Sequence, residues 1–144
     1  MRLKYINKMN KFIQEVIVTN DHLDDQMHVN NVQFLFWAQE IAKTHWTFLL
    51  NKTNKSFGVW VVRSHDIIYK SGAFLEDKIE ISTFINIIKG PISERIVEFR
   101  NKINGKLLVR VCTKWCYLEN LKNRKAVKVP IYIKNLFNPY LKVK

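Results

Sequence analysis

The sequence predicts an α+β domain in which a curved antiparallel sheet of about five strands wraps one long central helix. Three observations carry that expectation. Val32 to Leu50, "VQFLFWAQEIAKTHWTFLL", contains no glycine or proline and spreads its apolar residues over more than one helical face. A strand-like segment precedes it, and the chain that follows alternates apolar and polar residues with the period of two that marks half-buried strands. One apolar helix followed by a continuous meander buries itself only if the sheet curls around it.

Taken in order, Phe12 to Thr19 is rich in β-branched residues and stops at "NDHLDD", a cluster that favours turns. This is the first strand and a polar loop. Asn30, with Gln33 three residues on, fits a capping box, so Asn30 or Asn31 starts the helix, which is expected to be mostly buried. After "NKTNKS" come the strands "GVWVVRSHDIIYK" and "DKIEISTFINIIK", the latter with Ile79, Ile81, Ile85 and Ile87 on one face. A "KGP" turn leads to "ISERIVEFRNKI", and Asn104-Gly105 marks a hairpin into "LLVRVCTKWCYL", with Leu107, Val109, Val111, Trp115 and Tyr117 on one face. "VPIYIKNLFNPY" is a short C-terminal addition to which the pattern gives no form.

The chain has 144 residues, the size of one domain, so residues 1–144 are expected to share one core. Its 24 Lys and Arg against 12 Asp and Glu give a net charge of +12, which suits an anionic partner or reflects base bias in the genome. The lysines are dispersed, and no dense basic arm points to nucleic acid. Cys112 and Cys116, about 13 Å apart in an extended strand at ~3.3 Å per residue, are too far apart for a disulfide. Two structural thiols in a reduced, cytoplasmic protein are expected. "MRLKYINKMNKF" lacks the apolar core of a signal peptide, and Gln39, Glu40, Lys43 and His45 interrupt the most apolar stretch, so no export and no membrane span are expected.

Residues 24 to 34, "DDQMHVNNVQF", crowd two carboxylates, a histidine and two asparagines against the start of the helix. Taken locally, Asp24 is an Asx-turn or helix-start carboxylate and Asn30 a cap. The longer stretch "DHLDDQMHVNNVQFLFWAQEIA" resembles the hotdog thioesterases of the 4-hydroxybenzoyl-CoA and acyl-ACP thioesterase type. Their signature is an Asp, a short turn often containing Gly, a His-Val-Asn-Asn or similar run, an aromatic, and an acidic residue after the first helical turns. "VVRSHDIIYKSGAFLEDKIEIST" and "NGKLLVRVCTKWCYLE" are similar to that family's second strand and hairpin, so the resemblance spans most of the chain. Met27 departs from it where Gly or a small polar residue is usual, and Phe34 replaces a frequent Tyr.

The resemblance implies hydrolysis of an acyl-CoA or acyl-ACP to free acid and thiol, with no cofactor and with the site built between subunits of a homodimer or homotetramer. It gives Asp24 the role of nucleophile or general base and the Asn31 backbone N–H that of donor to the thioester carbonyl. A helix N-terminus suits that donor, because its first N–H groups lack partners within the helix and its dipole favours negative charge. His28 is counted catalytic in the acyl-ACP thioesterases; here it either orients Asp24, positions water, or makes a structural hydrogen bond. Gln26 and Asn30 are substrate-side candidates, and Arg63 and His65 would approach a neighbouring subunit's site, against a plain structural role at a strand edge. His22 is expected at the loop surface, His45 and Trp46 in packing, and Trp37 in the core or, as the alternative, lining the acyl channel. No Ser-His-Asp elbow, phosphate loop or metal-ligand spacing appears. The rivals are a non-catalytic acyl-thioester binding or sensor module, which Met27 favours, and a hotdog hydroxyacyl dehydratase, against which "HVNN" after Asp24 speaks.

Overall fold

A computed structural model describes residues 10–142. The expectation that the N-terminus carries no signal peptide falls mainly on residues 1–9, outside the described residues. Strands β1 (Phe12–Ile17), β2 (Val59–Tyr69), β3 (Lys78–Lys89), β4 (Ile92–Asn101) and β5 (Leu107–Leu118) form one antiparallel sheet in the order β1-β3-β4-β5-β2. Helix α1 (Asn31–Leu50) lies against it. Asn30 is the N-cap, and its side chain accepts from the Val32 N–H at 2.9 Å.

The first core cluster sets Phe34, Trp37 and Ile41 of α1 against Ile79 and Ile81 of β3, Val97 and Phe99 of β4 and Val109 and Val111 of β5. Each fully buried side chain of this size contributes about 1.5–3 kcal/mol. The helix is less buried than its composition suggests: Val32, Phe36 and Phe48 are exposed, and only one face meets the sheet.

One further local expectation is corrected. Ile87 does not share a face with Ile85, because a β-bulge between them flips the alternation and leaves Ile87 at the surface. The hairpin expected at Asn104-Gly105 joins β4 to β5. The hairpin loop runs from Lys102 to Lys106, with the Asn101 side chain accepting from the Ile103 and Asn104 N–H groups and Gly105 at φ 73°. The tight turn is Gly90-Pro91 between the paired Lys89 and Ile92, where Gly90 takes φ 59°. The C-terminal segment, which the pattern left without form, is helix α2 (Ile131–Phe137) followed by a 3-10 turn at Asn138–Tyr140. Ile133 and Phe137 close a second core cluster with Leu49, Ile85 and Tyr117.

His45, in the fourth turn of α1, is fully buried, stacked on Phe12 and edge-on to Tyr140. Its Nδ1 is 3.0 Å from an Arg95 guanidinium nitrogen. Burial, then the Arg95 and Lys52 charges, push its pKa down from 6.5 to about 3. The folded state therefore keeps His45 neutral where the unfolded chain takes up a proton. Its contribution to stability is complete above pH 6.5 and is lost as pH falls from 6.5 toward 3. By pH 4 the loss should be about 3 kcal/mol. Denaturation midpoints at pH 7 and pH 4 check this: His45→Gln, which keeps an acceptor for Arg95, should show a shallower acid loss, and an unchanged loss would remove His45 as its source.

Candidate functional site

Residues 20–31 are pinned from several sides. The chain makes a 3-10 turn at Asn20–His22, an isolated antiparallel bridge between Leu23 and Val29, and a tip from Asp24 to His28. Val29 N–H donates to Ala73 O at 2.8 Å, His28 bridges Phe74, and Asn30 N–H donates to His22 O at 2.9 Å. At the tip, Asp24 N–H donates to His28 O at 2.8 Å and Met27 N–H to Asp24 O at 3.1 Å. His22 is not free at the surface as expected. Its ring packs edge-on against Trp37, and its Nδ1 accepts from Thr19 N–H, because the 3-10 turn folds it back toward the helix.

Asp24 is half-buried and holds the tip together. Its Oδ1 accepts from Gln26 N–H at 2.9 Å and from His28 N–H at 3.3 Å, the arrangement of an Asx-turn. His28 Nδ1 stands 3.9 Å from the same oxygen, an ion-pair distance if the ring is protonated and too long for a hydrogen bond. All three approaches fall on Oδ1 and none uses Oδ2. Asn31 opens α1, so its N–H has no carbonyl one turn back to bond, and its own carbonyl accepts from Tyr69 Oη at 3.1 Å. His28, Asn31, Phe34, Tyr69 and Phe74 line a cleft of about 330 Å³ beside this loop.

The structure thus gathers Asp24, Gln26, His28, Asn30 and Asn31 at one helix end. It puts Arg63 and His65 elsewhere. His65 is held between the Thr113 hydroxyl at 2.8 Å and the Gln39 amide at 3.3 Å, and desolvation lowers its pKa; Arg63 reaches Cys116 Sγ. Within the chain both tie β2 to its neighbours α1 and β5. Cys112 and Cys116 are free, and burial, reinforced by Glu94, pushes the Cys112 thiol up to about 11, away from nucleophilic chemistry. Among the described residues no group of three His, Cys, Asp or Glu is placed to hold a metal ion, and no helix is long and apolar enough to cross a membrane.

Met27, the departure in the turn, takes φ 67°, the left-handed region that a glycine enters freely. A non-glycine residue there costs about 1–2 kcal/mol. The side chain is 61% exposed, so it recovers little by packing. Met27→Gly removes that cost but adds about 0.4–1 kcal/mol of unfolded-chain entropy. A net gain of about 0.5–1 kcal/mol is expected by urea denaturation. A loss of stability would show that the turn tolerates Met27 without strain.

Arg95 is the residue that sequence reasoning missed. It is 4% exposed, and its guanidinium nitrogen donates to Thr83 Oγ1 at 3.0 Å as well as meeting His45. The signal lay in its phase: in "ISERIVEF" it alternates with Val97 and Phe99, both of which face inward.

No family model matches the chain, and no curated protein matches it in sequence. Solved structures do match in three dimensions. A 1,4-dihydroxy-2-naphthoyl-CoA thioesterase from Synechocystis, 18% identical, covers 90% of this chain and 96% of its own with a TM-score of 0.76. A 4-hydroxybenzoyl-CoA thioesterase variant bound to 4-hydroxybenzoyl-CoA is 12% identical over 88% of this chain and 98% of its own, at 0.77. The 12:0-ACP thioesterase from Umbellularia californica is 14% identical over 93% of this chain and 51% of its own, at 0.77. At these identities the likeness is one of fold. The protein has the hotdog fold, a five-stranded antiparallel sheet around a central helix, and its structural neighbours are hotdog-fold thioesterases.

Proposed function

We propose that the protein hydrolyses acyl thioesters, with Asp24 as nucleophile or general base and the N-terminus of α1 as the oxyanion site. The observation that carries this reading is the placement of the Asp24 loop and the Asn31 N–H at one helix end beside the cleft. Oδ2 is the oxygen left for chemistry. It either attacks the carbonyl carbon, displacing the thiolate and leaving an anhydride for water to open, or takes a proton from the attacking water. The carbonyl oxygen, becoming negative, meets the unpaired N–H groups and positive dipole of the helix end. His28, whose Nδ1 lies 3.9 Å from Asp24 Oδ1, orients the carboxylate or the water. Gln26 and Asn30 flank the substrate path. The carrier is CoA or acyl carrier protein, whose negative charge suits a chain of net charge +12, and a cytoplasmic setting suits the two free thiols.

Thiol release from a chain-length series of acyl-CoAs and acyl-ACPs tests the proposal. Turnover on one carrier is the expected result, and no release above the uncatalysed rate from any member would overturn it. A second reading, a module that binds acyl thioesters without cleaving them, is favoured by one observation: Asp24 Oδ1 and the Met27 backbone are both engaged in holding the turn. Saturable binding of acyl-CoA without thiol release would select it.

The active unit is a homodimer or homotetramer. β2 runs along an open sheet edge with Val62, Ile68 and Tyr69 exposed, a surface that a second copy would cover. Light scattering at assay concentration should give at least twice the protomer mass; an active monomer would exclude a site shared between subunits.

A further inference from the structure

A second cavity, of about 270 Å³, opens near the other end of α1. It shares no lining residue with the Asp24 cleft. Ala42, which lines it, is eight residues beyond Phe34, about 12 Å along the helix at ~1.5 Å per residue. Its walls are Trp46, Trp60, Trp115 and Phe137, with Arg95 and Ser93 on the β4 side and Lys43 on the α1 side. The volume lies just under the ~300 Å³ at which small-molecule sites begin.

Two features of this cavity stand out, beside the cation–π contact of the Arg95 guanidinium with the Phe137 ring at 5.7 Å. Arg95 is buried with its charge, yet its hydrogen-bond partners, His45 and Thr83, carry none, and among the described residues no carboxylate comes within salt-bridge distance of it. A buried cation without a counter-charge is expensive, and folds ordinarily pair it. The guanidinium has five N–H donors, and its hydrogen bonds to His45 and Thr83 both come from one nitrogen. Secondly, the indole Nε1 atoms of Trp60 and Trp115 are buried without a hydrogen-bond partner. Buried donors of this kind are rare and call for an acceptor.

We propose that this cavity binds a small organic carboxylate with an apolar tail, the carboxylate pairing with Arg95 and the tail packing on the tryptophans. One ligand then supplies the missing negative charge and apolar surface for the aromatic walls. Lys43, on the α1 side, is already paired with Glu40 at 3.7 Å, which leaves Arg95 as the unpaired charge of the cavity. A neutral molecule of the same shape would fill the walls and leave Arg95 unpaired. Inorganic phosphate would pair with Arg95 and leave the walls empty. Within one protomer this cavity is separate from the cleft beside the Asp24 loop, and its occupation does not rest on hydrolysis there.

Three of the chain's four tryptophans line the cavity, so intrinsic fluorescence reports its occupation. Titration of the full chain with sodium octanoate should give a saturable change, with octan-1-ol binding about tenfold more weakly or worse, since a charge-assisted contact is lost. Sodium phosphate should give no comparable change. Arg95→Gln, with folding checked by circular dichroism, should weaken octanoate to the level of octanol. Asp24→Asn should bind octanoate as the parent does. Equal affinity for octanoate and octanol, binding of phosphate as tight as octanoate, or no saturable change would overturn the proposal, and these comparisons use the parent protein even if Arg95→Gln does not fold. A loss of octanoate affinity in Asp24→Asn would move the ligand to the other cleft and overturn it equally.

Discussion

Asp24→Asn is expected to lower thioester hydrolysis by about 10² to 10⁴, the range for loss of a positioned proton acceptor, with substrate binding largely retained. The geometry makes this substitution informative. The asparagine oxygen can still accept from the Gln26 and His28 N–H groups, so the turn that Asp24 holds should survive while the carboxylate's charge and basicity do not. Asp25→Asn is the neighbouring control; its side chain is exposed and it should cost far less. His28→Ala should give an intermediate loss. If the two residues act together, at the 3.9 Å that separates them, the double variant should lose less than the product of the two single losses. Measured kcat values, with circular dichroism as the check on folding, separate chemistry from scaffolding. A folded Asp24→Asn protein of near full activity would leave the loop as a helix start and nothing more.

Phe34→Ala should cost about 3–5 kcal/mol of stability, the usual range for truncating a buried phenylalanine. Phe34 is 2% exposed in the first turn of α1 and meets Trp37, Phe99 and Tyr69 edge-on at ring distances of 5.7, 5.2 and 6.4 Å. Each such pair adds a fraction of a kcal/mol or more beyond area burial. No neighbour can move to fill the space without breaking one of the others. The same residue lines the cleft beside Asp24, so its loss should also loosen the site. Guanidinium denaturation with an unchanged slope and a lowered midpoint is the expected signature. A cost under about 1 kcal/mol would mean that the site collapses around the smaller side chain.

What the sequence made legible follows period and punctuation. Asn30 sits where a cap belongs, and it caps; Ile79, Ile81, Val97 and Val109 fall in phase and all turn inward. The strands were readable because alternation is a local property. Ile87 was not, since a bulge inserts one residue and only the partner strand reveals it. The crowding of Asp24 to Asn31 pointed to a site, but not to the use of Asp24 Oδ1 as the staple of its own turn, which depends on where Gln26 and His28 place their N–H groups. For Arg63 and His65 the sequence offered a neighbouring subunit's site or a structural part at a strand edge; their contacts within the chain, Cys116 and Thr113, lie far off in sequence and no local pattern shows them. Arg95 shows the opposite case. An arginine in an inward phase reads as an irregularity of pattern until His45, from a different element, is found beside it.

The strand order also sets the route by which the chain can reach this structure. β3, β4 and β5 are joined by short hairpin connections and can zip together early, because closing a short loop is entropically cheap. Both flanking pairs are remote: Phe12 pairs with Thr83 and Val59 with Leu118, each across more than half the length of the connected meander and with α1 lying between β1 and β2. Neither edge can be added until the middle of the sheet exists to receive it. The fold therefore has a high contact order, which slows its formation relative to helical chains of the same size, and its two outer strands are the last to be recruited and the first to let go. A ribosome releasing this chain presents β1 and α1 well before their sheet has been made, so the apolar face of Phe34, Trp37 and Ile41 spends that interval uncovered.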